Sequence, residues 1–330
     1  MNIDHLSHSI PAQGKLLWVI EEAGIIHPEV IRPHANRSTI LCNRIDIQHA
    51  YQQVGKSLAS DFELDEGHFE AVIFYVSKER LLSNFVIAAS TGWLNKTGSL
   101  ILLGKKNEGI KNYTNKLTSK RALKKHGDLY LGEYYPPDSN AVEVNKYQQE
   151  IQLNDGRQAT MLSKPGIFSW KKIDQGSTFL IDTLIKHKID LRDHSVLDLG
   201  CGYGYLAIFA SLQGARWVTA TDNNITATML CKKNFELHKV RGEVLAMDCG
   251  EYLKKEYQII LCNPPFHKGK NIETTLSERF ITTAARLLCQ HGKAYFVVNS
   301  FIPLERIAEP YFRRIILLEK NPQYKIVQFG

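Results

Sequence analysis

Residues 195–207 read SVLDLGCGYGYLA. The apolar run Val196, Leu197 and Leu199 predicts a buried strand, and Gly200, Gly202 and Gly204 at alternate positions predict a sharp turn after it. Glycine lacks a Cβ, so the backbone can turn tightly there and lay its amides against a ligand. A strand that ends in a glycine turn and opens a helix is the grammar of a nucleotide-like cofactor site at the carboxyl end of a parallel strand.

Two cofactor classes fit this turn. Gly202-x-Gly204-x-x-Ala207 matches the dinucleotide fingerprint G-x-G-x-x-A, with Asp222 about 20 positions on as the acidic residue. Asp198, two places before Gly200, instead completes the D-x-G-x-G-x-G turn of S-adenosylmethionine (SAM) enzymes. The turn alone does not choose between them.

The choice comes from Asn263-Pro264-Pro265-Phe266, at the carboxyl end of the predicted strand Gln258–Asn263 and therefore at the same sheet edge. Two prolines stiffen the backbone and remove two N–H donors, leaving carbonyls as acceptors. Asparagine adds a side-chain acceptor and phenylalanine a flat face on which a base can stack. These parts suit methylation of an exocyclic amine conjugated to a ring. Its lone pair is delocalised, so the nitrogen is a poor nucleophile. Acceptance of both its hydrogens, by Asn263 Oδ1 and the Pro264 carbonyl, would pyramidalise it and aim the lone pair at a methyl group. No strong base is needed first, because the proton becomes acidic once the nitrogen is methylated.

The remaining composition sets the frame. A chain of 330 residues predicts two domains. Its 44% hydrophobic and 23% charged residues are those of an ordinary soluble globular protein. No apolar run reaches the roughly 18–20 residues of a membrane span, and the N-terminus lacks the pattern of a secretory leader, so a cytoplasmic protein is expected. The six cysteines are scattered without C-x-x-C pairs, which predicts reduced thiols and no metal site. Residues 1–163 carry 18 basic and 18 acidic residues, whereas 164–330 carry 23 and 16, so the formal charge of +7 lies in the second half. Within the first half, Lys105–Lys125 holds eight basic residues against Glu108 alone; this stripe reads equally as a phosphate-contacting surface or as a solvated helix face.

Alternating strands and helices predict an α/β fold in both halves. In the first, helices are expected at Leu16–Ala23, Ile47–Ser57, Glu79–Leu94 and within Lys111–His126, and strands at Thr39–Cys42, Ala71–Val76 and Leu100–Leu103. Pro136 and Pro137 mark a boundary, and Asn154-Asp155-Gly156 predicts a hairpin within Ile151–Leu162. In the second, strands are expected at Ser195–Leu199, Trp217–Asp222, Gly242–Met247, Gln258–Asn263, Ala294–Asn299, Arg314–Glu319 and Lys325–Phe329. Phe69-Glu-Ala-Val-Ile-Phe pairs with Tyr257-Gln-Ile-Ile-Leu-Cys at an offset of 188, and Gly98 with Gly292 at 194, which indicates a duplication. The first copy lacks a glycine turn and has Tyr75-Val76-Ser77-Lys78 in place of Asn263–Phe266.

The chain resembles the ribosomal RNA small subunit methyltransferase C (RsmC) family, on Lys164-Pro-Gly-Ile-Phe-Ser169, Asp174-Gln-Gly176, Asp198–Gly204, Asp222 and Asn263-Pro-Pro-Phe-His267. The resemblance is strong over 164–330 and looser before it. It implies two tandem Rossmann-like SAM-methyltransferase-type domains, with a seven-stranded mixed sheet in the C-terminal one. Residues 1–137 would be a degenerate copy that braces the catalytic half and offers RNA surface, 138–163 a linker and hairpin, and 164–330 the catalytic domain. It further implies SAM as cofactor, and methylation of guanine N2 in 16S rRNA on a flipped base. The partners would be that RNA and the small ribosomal subunit, without membrane or metal, for a monomeric cytoplasmic enzyme.

Carried over by position, Asn263, Pro264, Pro265 and Phe266 would be catalytic. Asp198, Gly200, Cys201, Gly202 and Gly204 would surround the amino-acid end of SAM, with Asn263 also near the cofactor. Asp222, beside Asn223, would accept hydrogen bonds from the ribose, and Asp248 and Cys249 would lie by adenine. Phe168, Asp174 and Gly176 would close the other side. Asp248 reads alternatively as a turn residue, Phe168 as core packing, and His267 as an RNA contact or a plain loop residue. A 23S rRNA guanine-N2 (RlmG-like) enzyme, an adenine-N6 or glutamine-N5 methyltransferase, a nicotinamide oxidoreductase and a non-catalytic RNA-binding factor are the competing functions.

Overall fold

The computed structural model describes residues 4–22, 24–64, 67–136, 141–156, 159–265 and 270–330. The chain forms two compact units, Met1–Gln149 with Lys164–Gly166, and Glu150–Ser163 with Ile167–Gly330. The expected linker 138–163 is thus divided: the helix Ala141–Gln148 belongs to the first unit and the hairpin to the second.

The first unit contains β1 (Leu16–Val19), β2 (Ser38–Cys42), β3 (Lys56–Ala59), β4 (Phe69–Tyr75), β5 (Leu94–Lys105), β6 (Ser119–His126) and β7 (Leu129–Tyr134) in one sheet of order β3-β2-β1-β4-β5-β7-β6. The second begins with a hairpin of β8 (Ile151–Asn154) and β9 (Thr160–Ser163). Its sheet is built from β10 (Ser195–Leu199), β11 (Trp217–Asp222), β12 (Gly242–Ala246), β13 (Tyr257–Cys262), β14 (Leu288–Asn299), β15 (Ile315–Lys320) and β16 (Tyr324–Phe329), in the order β12-β11-β10-β13-β14-β16-β15. The two orders are the same, strand for strand. Six strands of each sheet run in one direction, and only β7 and β16, next to the edge strands β6 and β15, run antiparallel to them.

The duplication reaches into backbone detail. β5 and β14 begin and end at positions 194 apart, and the irregularity in pairing between Phe69 and Ala71 recurs 188 residues later between Tyr257 and Ile259. In β10, alternation sends Val196 into the core on one face of the sheet and Leu197 and Leu199 into the core on the other. Each such fully buried side chain contributes about 1.5–3 kcal/mol. Both faces being covered by helices explains why these strands read as continuous apolar runs.

Three expectations for the first half need correction. Leu16–Ala23 is not a helix: Leu16–Val19 is the central strand β1, and a buried run of four or five apolar residues carries no period with which to tell strand from helix. Hence β1 is the counterpart of β10, and the sequence after it, Ile20-Glu21-Glu22-Ala23-Gly24, lacks the three glycines of the later turn. The span Ile47–Ser57 divides into a helix Ile45–Tyr51 and the start of β3. Lys111–His126 divides into a short helix Ile110–Thr114 and the edge strand β6, whose exposed lysines gave a helix-like polar pattern. The Lys164 ammonium is buried in the first unit, paired with Asp61 and 4.1 Å from the Tyr147 ring centre, while the Tyr147 hydroxyl donates to Asp61 Oδ1 at 2.9 Å.

Candidate active site

The strand order of the second unit reverses between β10 and β13, because β11 lies on one side of β10 and β13 on the other. In an open parallel sheet, this is where a crevice forms beyond the carboxyl ends of the strands. The glycine turn after β10, Asp222 closing β11, Asp248 after β12 and Asn263 after β13 all fall on that edge.

The turn is held from several directions. Gly200 N and Cys201 N both donate to the Thr221 carbonyl at 2.9 and 3.0 Å, and Gly202 N donates to Asp222 Oδ2 at 2.9 Å. Asp222 Oδ1 accepts from Asn224 N at 2.9 Å, and Asn224, not Asn223, caps the helix Ile225–Leu237. Gly200, Gly202 and Gly204 have φ of +83°, +53° and +93°. A Cβ on Gly204 would stand 2.6 Å from Cys231 Sγ, whereas one on Gly202 would meet nothing within 4 Å. One glycine is therefore required for packing, and another leaves open space over the turn.

Asp198 is fully buried on the other side of this turn. Its Oδ2 accepts from Ala207 N at 2.9 Å, tying strand to helix, and its Oδ1 has no partner among the described residues. Burial pushes the Asp198 carboxyl up to about 7, against the pull of the Ala207 N–H and with the push of the Asp222 charge. Such an oxygen calls for a cationic or hydrogen-bonding ligand group nearby. The Cys201 and Cys231 thiols are buried, and burial raises both, so they are packing groups rather than nucleophiles.

The β12 side is organised by a helix that sequence reasoning did not connect to it. Arg279, Thr283 and Arg286 project from one face of the helix Lys270–Leu287. Arg279 pairs with Asp248 Oδ2 at 2.6 Å, Thr283 donates to the Cys249 carbonyl at 3.0 Å, and Arg286 donates to the Gly250 carbonyl at 2.9 Å. Asp248 thus opens the short turn Asp248–Gly250, with its carboxylate ion-paired there. Cys249 holds a left-handed φ of 45°, and burial first of all pushes its thiol up to about 12. The i, i+4, i+7 spacing of the three helix residues was the only signal in the sequence.

On the β13 side, Asn263 Nδ2 donates to Asp174 Oδ2 at 2.7 Å and to Ser177 Oγ at 2.8 Å. Asp174 Oδ2 also accepts from Ser177 N at 2.8 Å as the N-cap of the helix Gln175–Lys186. Gly176 lies against this contact: a Cβ there would come within 3.1 Å of Asp174 Oδ2, 3.3 Å of the Tyr324 ring and 3.4 Å of Asn263 Nδ2. Tyr203 and Tyr324 wall the site, their phenols raised by burial and then by the Asp174 charge. Pro264 is buried and Pro265 exposed. Phe168 is 57% exposed, which excludes core packing for it. Phe266 and His267 lie outside the described residues.

Residues 158–328 match the methyltransferase small domain family, and residues 13–130 match the N-terminal domain that accompanies it. The chain belongs to the methyltransferase small-domain family. It is 27% identical to ribosomal RNA small subunit methyltransferase C of Psychromonas ingrahamii over 271 residues, 79% of this chain and 76% of that one. It is 25% identical to the protein of the same name from Shewanella sediminis over 329 residues, 95% and 93% of the two chains. The structure of the Thermus thermophilus 16S rRNA N2 G1207 methyltransferase (RsmC), in complex with AdoMet and guanosine, superposes with a TM-score of 0.85 at 21% identity, covering 99% of this chain and 91% of that chain. At that identity the likeness speaks for the fold: both halves are methyltransferase-type α/β domains.

As a member of this family the chain is a SAM-dependent methyltransferase, the expectation drawn from Asp198 and Asn263. Its residues fit that cofactor. The open face of Gly202, the orphaned Asp198 Oδ1 and the Asp222 carboxylate offer space and acceptors to a ligand with an ammonium and a diol. No cluster of potential metal ligands occurs among the described residues, and no described helix is long and apolar enough to cross a membrane.

Proposed function

We propose that the chain methylates the exocyclic N2 amine of a guanosine in 16S rRNA of the small ribosomal subunit. The base would be flipped from its stack and held by the Asn263–Phe266 loop. One observation carries this reading: Asn263 is fixed at the carboxyl end of β13, next to the glycine turn of β10, with its amide nitrogen already occupied by Asp174 and Ser177. Its Oδ1 is thereby left as the acceptor that a conjugated amine needs. The relatives' names supply the base and the RNA.

SAM supplies an electrophilic methyl group on a sulfonium. The protein's part is positioning. Asp198, Gly202 and Asp222 hold the donor, Asp248 and Cys249 line its adenine side, and Phe168 covers it. Asn263 Oδ1 and the Pro264 carbonyl accept the two amine hydrogens and direct the lone pair, and Phe266 stacks on the guanine. The proton leaves after transfer, from a nitrogen made acidic by its new substituent. Residues 1–137 serve as the RNA-contacting half, and 164–330 as the catalytic one. β6 exposes Lys120, Arg121, Lys124 and Lys125 at the edge of the first sheet, with Glu133 paired to Lys120 and Arg121. A basic edge strand of this kind matches the spaced charges of an RNA backbone.

Mass spectrometry of rRNA from a deletion strain tests the assignment. One N2-methylguanosine should vanish from 16S rRNA, return with the wild-type chain, and stay absent with Asn263→Ala. Loss from 23S rRNA would move the substrate to the large subunit, and loss from neither would refute the proposal.

A further inference from the structure

We infer that Asp174 is a positioning residue for methyl transfer: it locks the Asn263 side-chain amide in the orientation that leaves Oδ1 facing the reacting amine. The inference rests on the amine-methylation reading above and extends it to residues that touch neither the amine nor the methyl group. A carboxamide has two ends of nearly the same size, and rotating it by half a turn exchanges acceptor for donor at one point in space. In the wrong orientation Asn263 would present N–H groups to the N–H groups of its substrate. Nothing in asparagine itself prevents that rotation, so the protein must choose the end.

The choice is made by the acceptor-only character of a carboxylate. Asp174 Oδ2 lies 2.7 Å from Asn263 Nδ2, a distance typical of a charge-assisted hydrogen bond, and an amide oxygen in that place would meet a negative charge. Ser177 Oγ, at 2.8 Å from the same nitrogen, can donate or accept and so follows the orientation rather than imposing it. Asp174 is itself immobilised, because the same Oδ2 accepts from Ser177 N at 2.8 Å and thereby ties the carboxylate to the first turn of a helix. Gly176 keeps the space clear, since any side chain there would press on both Asp174 Oδ2 and Asn263 Nδ2. Charge adds to geometry. As the substrate nitrogen gains positive charge during attack, a carboxylate behind the amide polarises it and makes Oδ1 a stronger acceptor.

This account differs from one in which Asp174 merely walls the cofactor, because it places the loss in turnover and not in SAM affinity. Asp174→Ala alone would be ambiguous, since it also removes the helix cap. Asp174→Ser keeps a capping oxygen but is too short and uncharged to hold the Asn263 amide. Asp174→Asn can offer its own amide oxygen to both N–H groups, restoring orientation without charge.

The test uses the full chain, methyl transfer from labelled SAM to 16S rRNA lacking the modification, calorimetric SAM affinity and thermal unfolding. Asp174→Ser should unfold within a few degrees of wild type, lose about 10²–10³-fold in kcat, and keep KM for SAM and RNA within about threefold. Asp174→Asn should recover to within about tenfold of wild type. In a double variant with Asn263→Ala, Asp174→Ser should cost less than about twofold more than Asn263→Ala alone, because both act through one group. Wild-type kcat in Asp174→Ser, a loss confined to SAM affinity, or multiplicative losses in the double variant would overturn the positioning role while an inactive Asn263→Ala upheld the underlying reading. Full activity in Asn263→Ala would instead overturn that reading itself.

Discussion

The backbone N–H of Gly202 donates to the Asp222 carboxylate at 2.9 Å, so the acidic residue at the end of β11 shapes the glycine turn of β10. Two motif positions twenty residues apart form one unit. On the proposed function, the carboxylate that would accept the donor's hydroxyls is also the group that keeps the turn in shape.

Replacing Asp222 should therefore act twice. Asp222→Ala removes the acceptor for Gly202 and Asn224 as well as the ligand's own acceptor, and should weaken SAM binding at least tenfold by calorimetry. Unchanged affinity would remove Asp222 from the site.

The turn glycines should separate by mechanism. Gly204→Ala combines a φ of +93° with a Cβ 2.6 Å from Cys231 Sγ in a packed core, and should lower stability by about 2–4 kcal/mol. Gly202→Ala, at a φ of +53° with open space around it, should cost only about 1–2 kcal/mol yet weaken SAM binding more than tenfold, because its methyl would stand on the ligand face. Denaturant unfolding and calorimetry on both variants check the contrast, and equal stability losses would contradict it.

Stability of the unliganded protein should depend on pH through Asp198. Its carboxyl is raised from 3.8 to about 7, so the folded chain holds that proton more tightly than the unfolded chain does. The stabilisation, on the order of 4 kcal/mol, is fully present below pH about 4, declines as pH rises towards about 7, and is absent above it. Urea unfolding between pH 5 and 8 should show wild type losing stability relative to Asp198→Asn. Parallel curves would rule this out.

Contact of the first unit with RNA predicts a salt signature. Lys116, Lys124 and Lys125 are exposed, and changing all three to Gln should lower the slope of log affinity against log salt by about 2–3. The kcat at saturating RNA should be unaffected. An unaltered slope would leave Lys124 and Lys125 as guards of a sheet edge against strand pairing, the other task that lysines perform there.

The second unit was largely legible because its strands are buried on both faces and bounded by turns. Ser195–Leu199 and Trp217–Asp222 were placed to the residue, and so was the glycine turn. β1 was misread because Leu16–Val19 is apolar without a period, and β6 because an edge strand of lysines has no buried face to give it one. Strand identity there comes from pairing with β2, β4 and β7, which local sequence does not record.

The sequence by itself determined the family and the cofactor, because both depend on short-range spacing: Asp198 to Gly204, and Asn263 to Phe266. Only the tertiary structure decided which groups act together. Asp174 meets Asn263 across 89 residues, and Arg279 meets Asp248 across 31. Those pairings arise where parallel strands bring their carboxyl ends to one edge and helices return over them. A hydrogen bond of under 3 Å, made between distant parts of the chain, depends on that packing.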